Sequence, residues 1–87
     1  MPKTERAYTT KRSTPLAKLR VRHKKTRAQA ADQLKVSVGY LGLLERGREK
    51  PSEDLLIEME EVYGTTRTSV RRAAIATRRA FLIRETP

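Results

Sequence analysis

Cysteine and tryptophan are both missing from this 87-residue sequence, which holds a single histidine, His23, one phenylalanine and three tyrosines. Without cysteine there is neither a disulfide framework nor a cysteine-liganded zinc or iron–sulfur site, and one histidine cannot build a metal site without carboxylate help. So few aromatic rings offer little stacking surface for unpaired bases, which weighs against RNA as the partner. Long apolar runs are absent too: Ala80 to Ile83 is among the longest, whereas a membrane span needs about 20 such residues. The polar N-terminus lacks the hydrophobic region of a signal peptide, so the expectation is a cytoplasmic protein with no membrane partner. There is no Gly-rich phosphate loop, and His23 lies among basic residues with no carboxylate at helical spacing to orient it. It reads as a solvated helix residue, and neither an enzyme, a cofactor nor a small-molecule ligand is expected.

Acidic residues are half as numerous as basic ones, 10 against 20, leaving a net charge of +10. Residues 1–25 carry 9 basic and 1 acidic residue, residues 26–65 carry 5 and 8, and residues 66–87 carry 6 and 1. The basicity therefore sits at the two ends. Such a footprint suits a polyanion, because each phosphate neutralised by Lys or Arg releases condensed counterions. No segment pairs a wide apolar face with a basic one in the manner of an interfacial helix, so nucleic acid outranks an anionic membrane. The acids Glu53, Asp54, Glu58, Glu60 and Glu61 read as a dipole-complementing helix start and a solvated face.

A chain this short fits one domain with an economical core. Residues 1–14 are dense in Thr, Lys and Arg and poor in large apolar side chains, which predicts a flexible basic arm. Ser13 or Thr14 offers an N-cap with Pro15 at the first helical position, and Leu16, Leu19 and His23 follow at i, i+3 and i+7. Thr26 caps a second helix whose small residues Ala28, Ala30 and Ala31, with Leu34, permit close approach of a neighbour, ending near Lys35. Ser37 caps a third, with Leu41 and Leu44 on its inner face and Gly47 ending it in a left-handed conformation. Pro51-Ser52-Glu53 starts a fourth, whose stripe of Leu55, Leu56, Met59, Val62 and Tyr63 stops at Gly64. A last helix, from about Thr66 to Ile83, has an inner stripe of Val70, Ala73, Ala74, Thr77, Ala80 and Phe81. A second strip, Ile75, Leu82 and Ile83, lies among Arg71, Arg72, Arg78 and Arg79. The fold class is all-α, four to five helices: an arm at 1–14, a helix-turn-helix unit at 15–64 and a basic C-terminal helix at 65–87.

Two short helices joined through Lys35-Val36, then Ser37-x-x-x-Leu41-x-x-Leu44-Glu45-x-Gly47, form an arrangement in which one helix braces another against a major groove. Leu44-Glu45-Arg46-Gly47-Arg48 followed by Pro51-Ser52, with Ala31, Val36-Ser37 and Tyr63-Gly64, resembles the lambda-repressor and Cro (XRE-type) helix-turn-helix family from Leu16 to Gly64. The resemblance implies a phosphate clamp at Thr26 and Arg27, a further phosphate contact at Ser37, and backbone contacts from Arg46, Arg48 and Lys50. It also implies a partly buried structural ion pair between Arg20 and Glu45, and a base-reading face of Val38, Gly39, Tyr40 and Leu43. That face departs from the family's polar pattern, offering apolar contacts to thymine methyls and one phenol where bidentate donors and acceptors usually discriminate bases.

The expected function is that of a DNA-binding transcription regulator, a repressor of phage or mobile-element type. It would act on double-stranded, palindromic DNA as a homodimer, with Ile75, Leu82 and Ile83 as the dimer candidate, unless the last helix is instead a basic tail that tracks the DNA backbone through Arg71, Arg72, Arg78 and Arg79. The arm residues Lys3, Arg6, Lys11 and Arg12 would enter a minor groove. An adaptor that docks a protein on Val38, Tyr40 and Leu43 is the alternative.

Overall fold

The computed structural model describes residues 14–85, so Lys3, Arg6, Lys11 and Arg12 lie outside the described residues. Five helices follow one another: α1 Pro15–Arg22, α2 Arg27–Leu34, α3 Val38–Arg46, α4 Glu53–Val62 and α5 Arg67–Glu85. No strand occurs among the described residues. The all-α fold expected from the sequence is the fold observed.

Local chemistry starts each helix. The hydroxyls of Thr14, Ser37, Ser52 and Thr66 each accept a hydrogen bond from the backbone N–H three residues on, at Ala17, Tyr40, Leu55 and Ser69. Thr26 does the same for Gln29, whose side-chain oxygen in return accepts from the Thr26 N–H at 2.8 Å, a reciprocal capping box. The stops are left-handed residues: Lys35 at φ 60° closes α2 and Gly47 at φ 83° closes α3. Gly64 at φ 55° follows Tyr63, the C-cap of α4.

The core is assembled from Leu16 and Leu19 of α1, Ala30, Ala31 and Leu34 of α2, Leu41 and Leu44 of α3, and Leu55, Leu56 and Met59 of α4, with Tyr63 behind them. The C-terminal helix belongs to this core through Val70 and Ala74. Its next turn joins distant parts of the chain: buried Thr77 accepts from the Leu16 N–H at 3.0 Å through its hydroxyl oxygen. Arg78 Nη1 donates to the Gly47 carbonyl at 2.8 Å. Gly47 is glycine for two reasons, since a Cβ there would meet the Thr77 carbonyl oxygen at 2.6 Å and Phe81 Cβ at 2.8 Å, besides the positive φ.

Three face assignments from the helical period are corrected. His23 is not part of the α1 stripe: the helix stops at Arg22, His23 is its exposed C-cap with Nδ1 3.1 Å from the Leu19 carbonyl oxygen, and Ala17 and Arg20 fill the inward positions instead. Ala28 is exposed, because only Ala30, Ala31 and Leu34 of α2 point inward. Ala80 is also exposed, while Phe81 and Arg78 are partly covered. The direction set by Thr77 carries Ala80 to the outside of α5.

Candidate nucleic-acid interface

At 3.6 residues per turn, Val38, Gly39, Gly42, Leu43 and Arg46 share one side of α3, opposite the buried Leu41 and Leu44. Val38 is 47% exposed. Gly39 is exposed, and a Cβ added there would meet nothing within 4 Å, so its backbone is open to close approach. Leu43 is half-buried. Tyr40 stands apart from this set: four residues before Leu44, it shares the inner side of the helix and packs, half-buried, against the core. Ser37 is exposed at the N-cap, its hydroxyl committed to Tyr40 N–H.

A buried carboxylate organises the cations around this face. Glu45 receives a bidentate pair from Arg20, Nε to Oε2 at 2.7 Å and Nη2 to Oε1 at 3.1 Å, with the two side chains only 2% and 5% exposed. Arg20 spends a further donor on the Lys25 carbonyl at 2.9 Å. The Thr14 hydroxyl donates to the Glu45 backbone carbonyl. These bonds hold α1, the α1–α2 turn and the end of α3 in one arrangement, and a two-point fork fixes orientation as well as distance.

Arg27 is the unforeseen member. From the first position of α2 it donates Nε to Glu45 Oε1 at 3.3 Å. One carboxylate thus serves two guanidinium groups, and the junction keeps a net positive charge. A Cβ on Gly42 would lie 3.6 Å from an Nη of Arg46 and 3.7 Å from an Nη of Arg27. The two guanidinium groups therefore converge over the buried Gly42, between the start of α2 and the end of α3. Gly42 was not among the expected site residues, although its i+3 spacing from Gly39, which places both glycines on one side of α3, was the available signal.

Beyond α3, Arg46, Arg48 and Lys50 are all exposed. Arg48 lies over the Phe81 ring, 5.4 Å from its centroid, a cation–π contact that ties the α3–α4 connection to α5. Thr26 uses its hydroxyl in the capping box, and the first N–H groups of α2 beside it form the positive end of that helix. Ile75, Leu82 and Ile83 are exposed on α5, away from α3. No described helix is long and apolar enough to cross a membrane.

Neither a curated protein nor a solved structure matches the chain. A family model described as Helix-turn-helix matches residues 16–70, more than half of the chain, from the second residue of α1 through α4 into the first turn of α5. With its capped helix pair, its left-handed turn at Lys35 and its open third helix, the chain belongs to the lambda-repressor-like (XRE-type) helix-turn-helix family of DNA-binding transcription regulators.

Proposed function

We propose that this protein is a repressor of phage or mobile-element type that reads double-stranded DNA with α3 in the major groove, in the cytoplasm, as a homodimer on a palindromic site. The convergence of Arg27 and Arg46 over Gly42 is the observation that carries the reading. Arg27 spends only its Nε on Glu45 and Arg46 has no ion-pair partner among the described residues, so both guanidinium groups have donors to spare for a phosphate where they meet beside α3. Arg48 and Lys50 extend the positive ridge, and Thr26 and Ser37 mark the helix starts nearest the backbone. Val38 and Leu43 contact thymine methyl groups, Gly39 lets the backbone come close, and the rest of the discrimination falls to DNA shape and the N-terminal arm. Tyr40, turned to the core, supports α3 and does not touch a base. A single unit this size contacts few base pairs, so two-fold pairing with half-sites about one DNA turn apart supplies the remaining affinity.

Site selection from a random duplex pool, followed by salt titration on the selected and a scrambled sequence, tests this. The selected duplex should bind about a thousandfold more tightly at physiological salt. Arg27→Ala should weaken both duplexes alike and lower the salt slope by about one unit. Equal affinity for the two duplexes would favour the adaptor reading, in which Val38 and Leu43 meet a protein.

A further inference from the structure

The charges of the last two helices are segregated. Every ionisable residue of α4 is acidic: Glu53, Asp54, Glu58, Glu60 and Glu61. α5 carries six arginines and one acid, Glu85. Part of this charge is satisfied within the chain, by Arg71 forking onto Glu53 at 2.7 and 3.0 Å and by Arg67 reaching Glu60 at 3.3 Å. The remainder faces outward. Asp54, Glu58 and Glu61 recur at i, i+4 and i+7 on an exposed stripe, and none has an ion-pair partner among the described residues. Beside that stripe stands Ile57, 42% exposed.

Between the N-terminal part of α4 and the outer side of α5 runs a groove of about 620 Å³. Its apolar floor is Pro51, Leu56, Ala74, Ile75 and Leu82. Helical geometry places Arg71 and Arg78 along one side of the Ile75–Leu82 strip and Arg72 and Arg79 along the other. Arg71 and Arg78 are engaged, by Glu53 and by the Gly47 carbonyl. Arg72 and Arg79 are exposed and have no ion-pair partner among the described residues. The groove is thus an apolar strip between two cationic rails, and an occupant must bring an apolar residue flanked by acids.

We propose that the occupant is a second copy of this chain, which lays the Asp54–Ile57–Glu58–Glu61 face of its α4 against the Ile75–Leu82 strip while its own groove receives α4 of the first copy. The inference rests on the two-fold reading above and replaces the dimer candidate expected from the sequence, Ile75, Leu82 and Ile83 of α5 alone, with a crossed α4–α5 pair. Direct α5-to-α5 packing sets arginine rails against each other, and like charges facing across an interface cost several kcal/mol. Crossed packing sets acid against base twice in one isologous interface, because α4 and α5 are neighbours in the fold. The basic N-terminal arm is the wrong charge for the groove, and DNA has no apolar side chain for its floor. Arg78 lines the groove while holding the Gly47 carbonyl, so occupancy is felt at the exit of α3.

Sedimentation of the full chain without DNA, across a range of concentrations and salt, tests the pairing. Two surface double variants are compared: Asp54→Lys with Glu58→Lys, and Arg72→Glu with Arg79→Glu. The unaltered chain should dimerise, more tightly at low salt, and each double variant alone should dimerise at least about tenfold more weakly. An equimolar mixture of the two should recover the original affinity as a heterodimer, since both crossed contacts are again of opposite sign. If Asp54→Lys with Glu58→Lys leaves dimerisation unchanged, or Arg72→Glu with Arg79→Glu strengthens it, the crossed interface is overturned in favour of α5-to-α5 packing. An unaltered chain that remains monomeric at every concentration overturns it as well, as does loss of dimerisation on removing residues 1–13, which would make the arm the occupant. Sequence preference for DNA is measured separately on the same variants: a dimer with no preference upholds this interface and removes the regulator reading, whereas a monomer that still prefers its selected duplex does the reverse.

Discussion

Replacing Glu45 by Leu removes the one carboxylate that Arg20 and Arg27 share. Arg27 is 38% exposed at its side chain and can turn to water, but Arg20, at 5%, cannot leave without opening the contact between α1 and α3. Breaking a buried pair from one side costs about 3–5 kcal/mol, because a desolvated charge is left uncompensated. A domain of this size has a total stability in the lower part of the ~5–15 kcal/mol range, so Glu45→Leu should lie close to the unfolding threshold. Arg20→Met combined with Glu45→Leu removes both charges while keeping apolar volume. Such replacements are close to neutral or stabilising elsewhere. Here the gain is reduced by about 1 kcal/mol, because the Lys25 carbonyl loses its Arg20 donor. The double variant should therefore be at least about 2 kcal/mol more stable than Glu45→Leu alone. Urea unfolding followed by circular dichroism, with the slope checked for constancy, measures the cycle. If the effects of the two substitutions simply add, the pair is not the clamp the geometry describes.

Other expectations follow from single groups. Gly47→Ala combines a left-handed φ with contacts of 2.6 and 2.8 Å to α5, and should cost about 2 kcal/mol or more; Gly64→Ala, at φ 55° with its nearest neighbour His23 Nε2 at 3.4 Å, should cost about half that by the same urea titration. Tyr63 is fully buried and its hydroxyl has no hydrogen-bond partner among the described residues, so Tyr63→Phe should raise stability by about 1 kcal/mol, and a loss of that size would show that the hydroxyl is satisfied. Burial pushes the Tyr63 phenol well above its usual range, with the Glu45 charge adding to the shift. The unfolded phenol ionises near pH 10, so stability is intact below that pH and falls as pH rises beyond it. Ultraviolet titration should show one of the three tyrosines ionising only as the fold opens. The hydrogen bond from Arg71 holds the Glu53 carboxyl below the usual glutamate range. The pair's contribution is present above the unfolded carboxyl pKa and is lost as pH falls through the lower folded value; NMR titration should show the depression, and Arg71→Ala should remove it.

What could be read from the sequence was local. Thr14, Thr26, Ser37, Ser52 and Thr66 act on N–H groups three residues ahead, and Gly47 and Gly64 act on their own backbone, so a short window contains both cause and effect. The apolar stripes of α3 and α4 were legible because Leu41, Leu44, Leu55, Leu56 and Met59 repeat at helical spacing. Of the contacts made across the fold, the Arg20–Glu45 pair was expected through the family resemblance, and the others were not legible. Nothing local announces that Arg27 turns back to Glu45, that Arg78 crosses thirty-one residues to Gly47, or that Thr77 supplies an acceptor to Leu16. Ala80 shows the complementary failure, its face being set by the direction from which neighbouring helices approach, which a helical period alone does not contain; for Tyr40 the i+4 spacing to Leu44 did carry the inward placement.

The bond from Leu16 N–H to the Thr77 hydroxyl also bears on how the chain folds. It closes a loop spanning nearly the whole described segment, and the chain entropy lost in bringing its ends together is recovered only once both helices exist. α2, α3 and the turn between them can form from near neighbours, whereas the docking of α5 on Leu16 and Gly47, within a single turn of itself, needs distant parts of the chain already in place. Detachment of α5 is accordingly the natural first step of unfolding, and its amides should exchange with solvent ahead of those in α3. α2 and α3, the helices proposed above to meet DNA, are thus the local part of the fold, and the final helix is the latch across its ends that gives them a fixed mutual orientation.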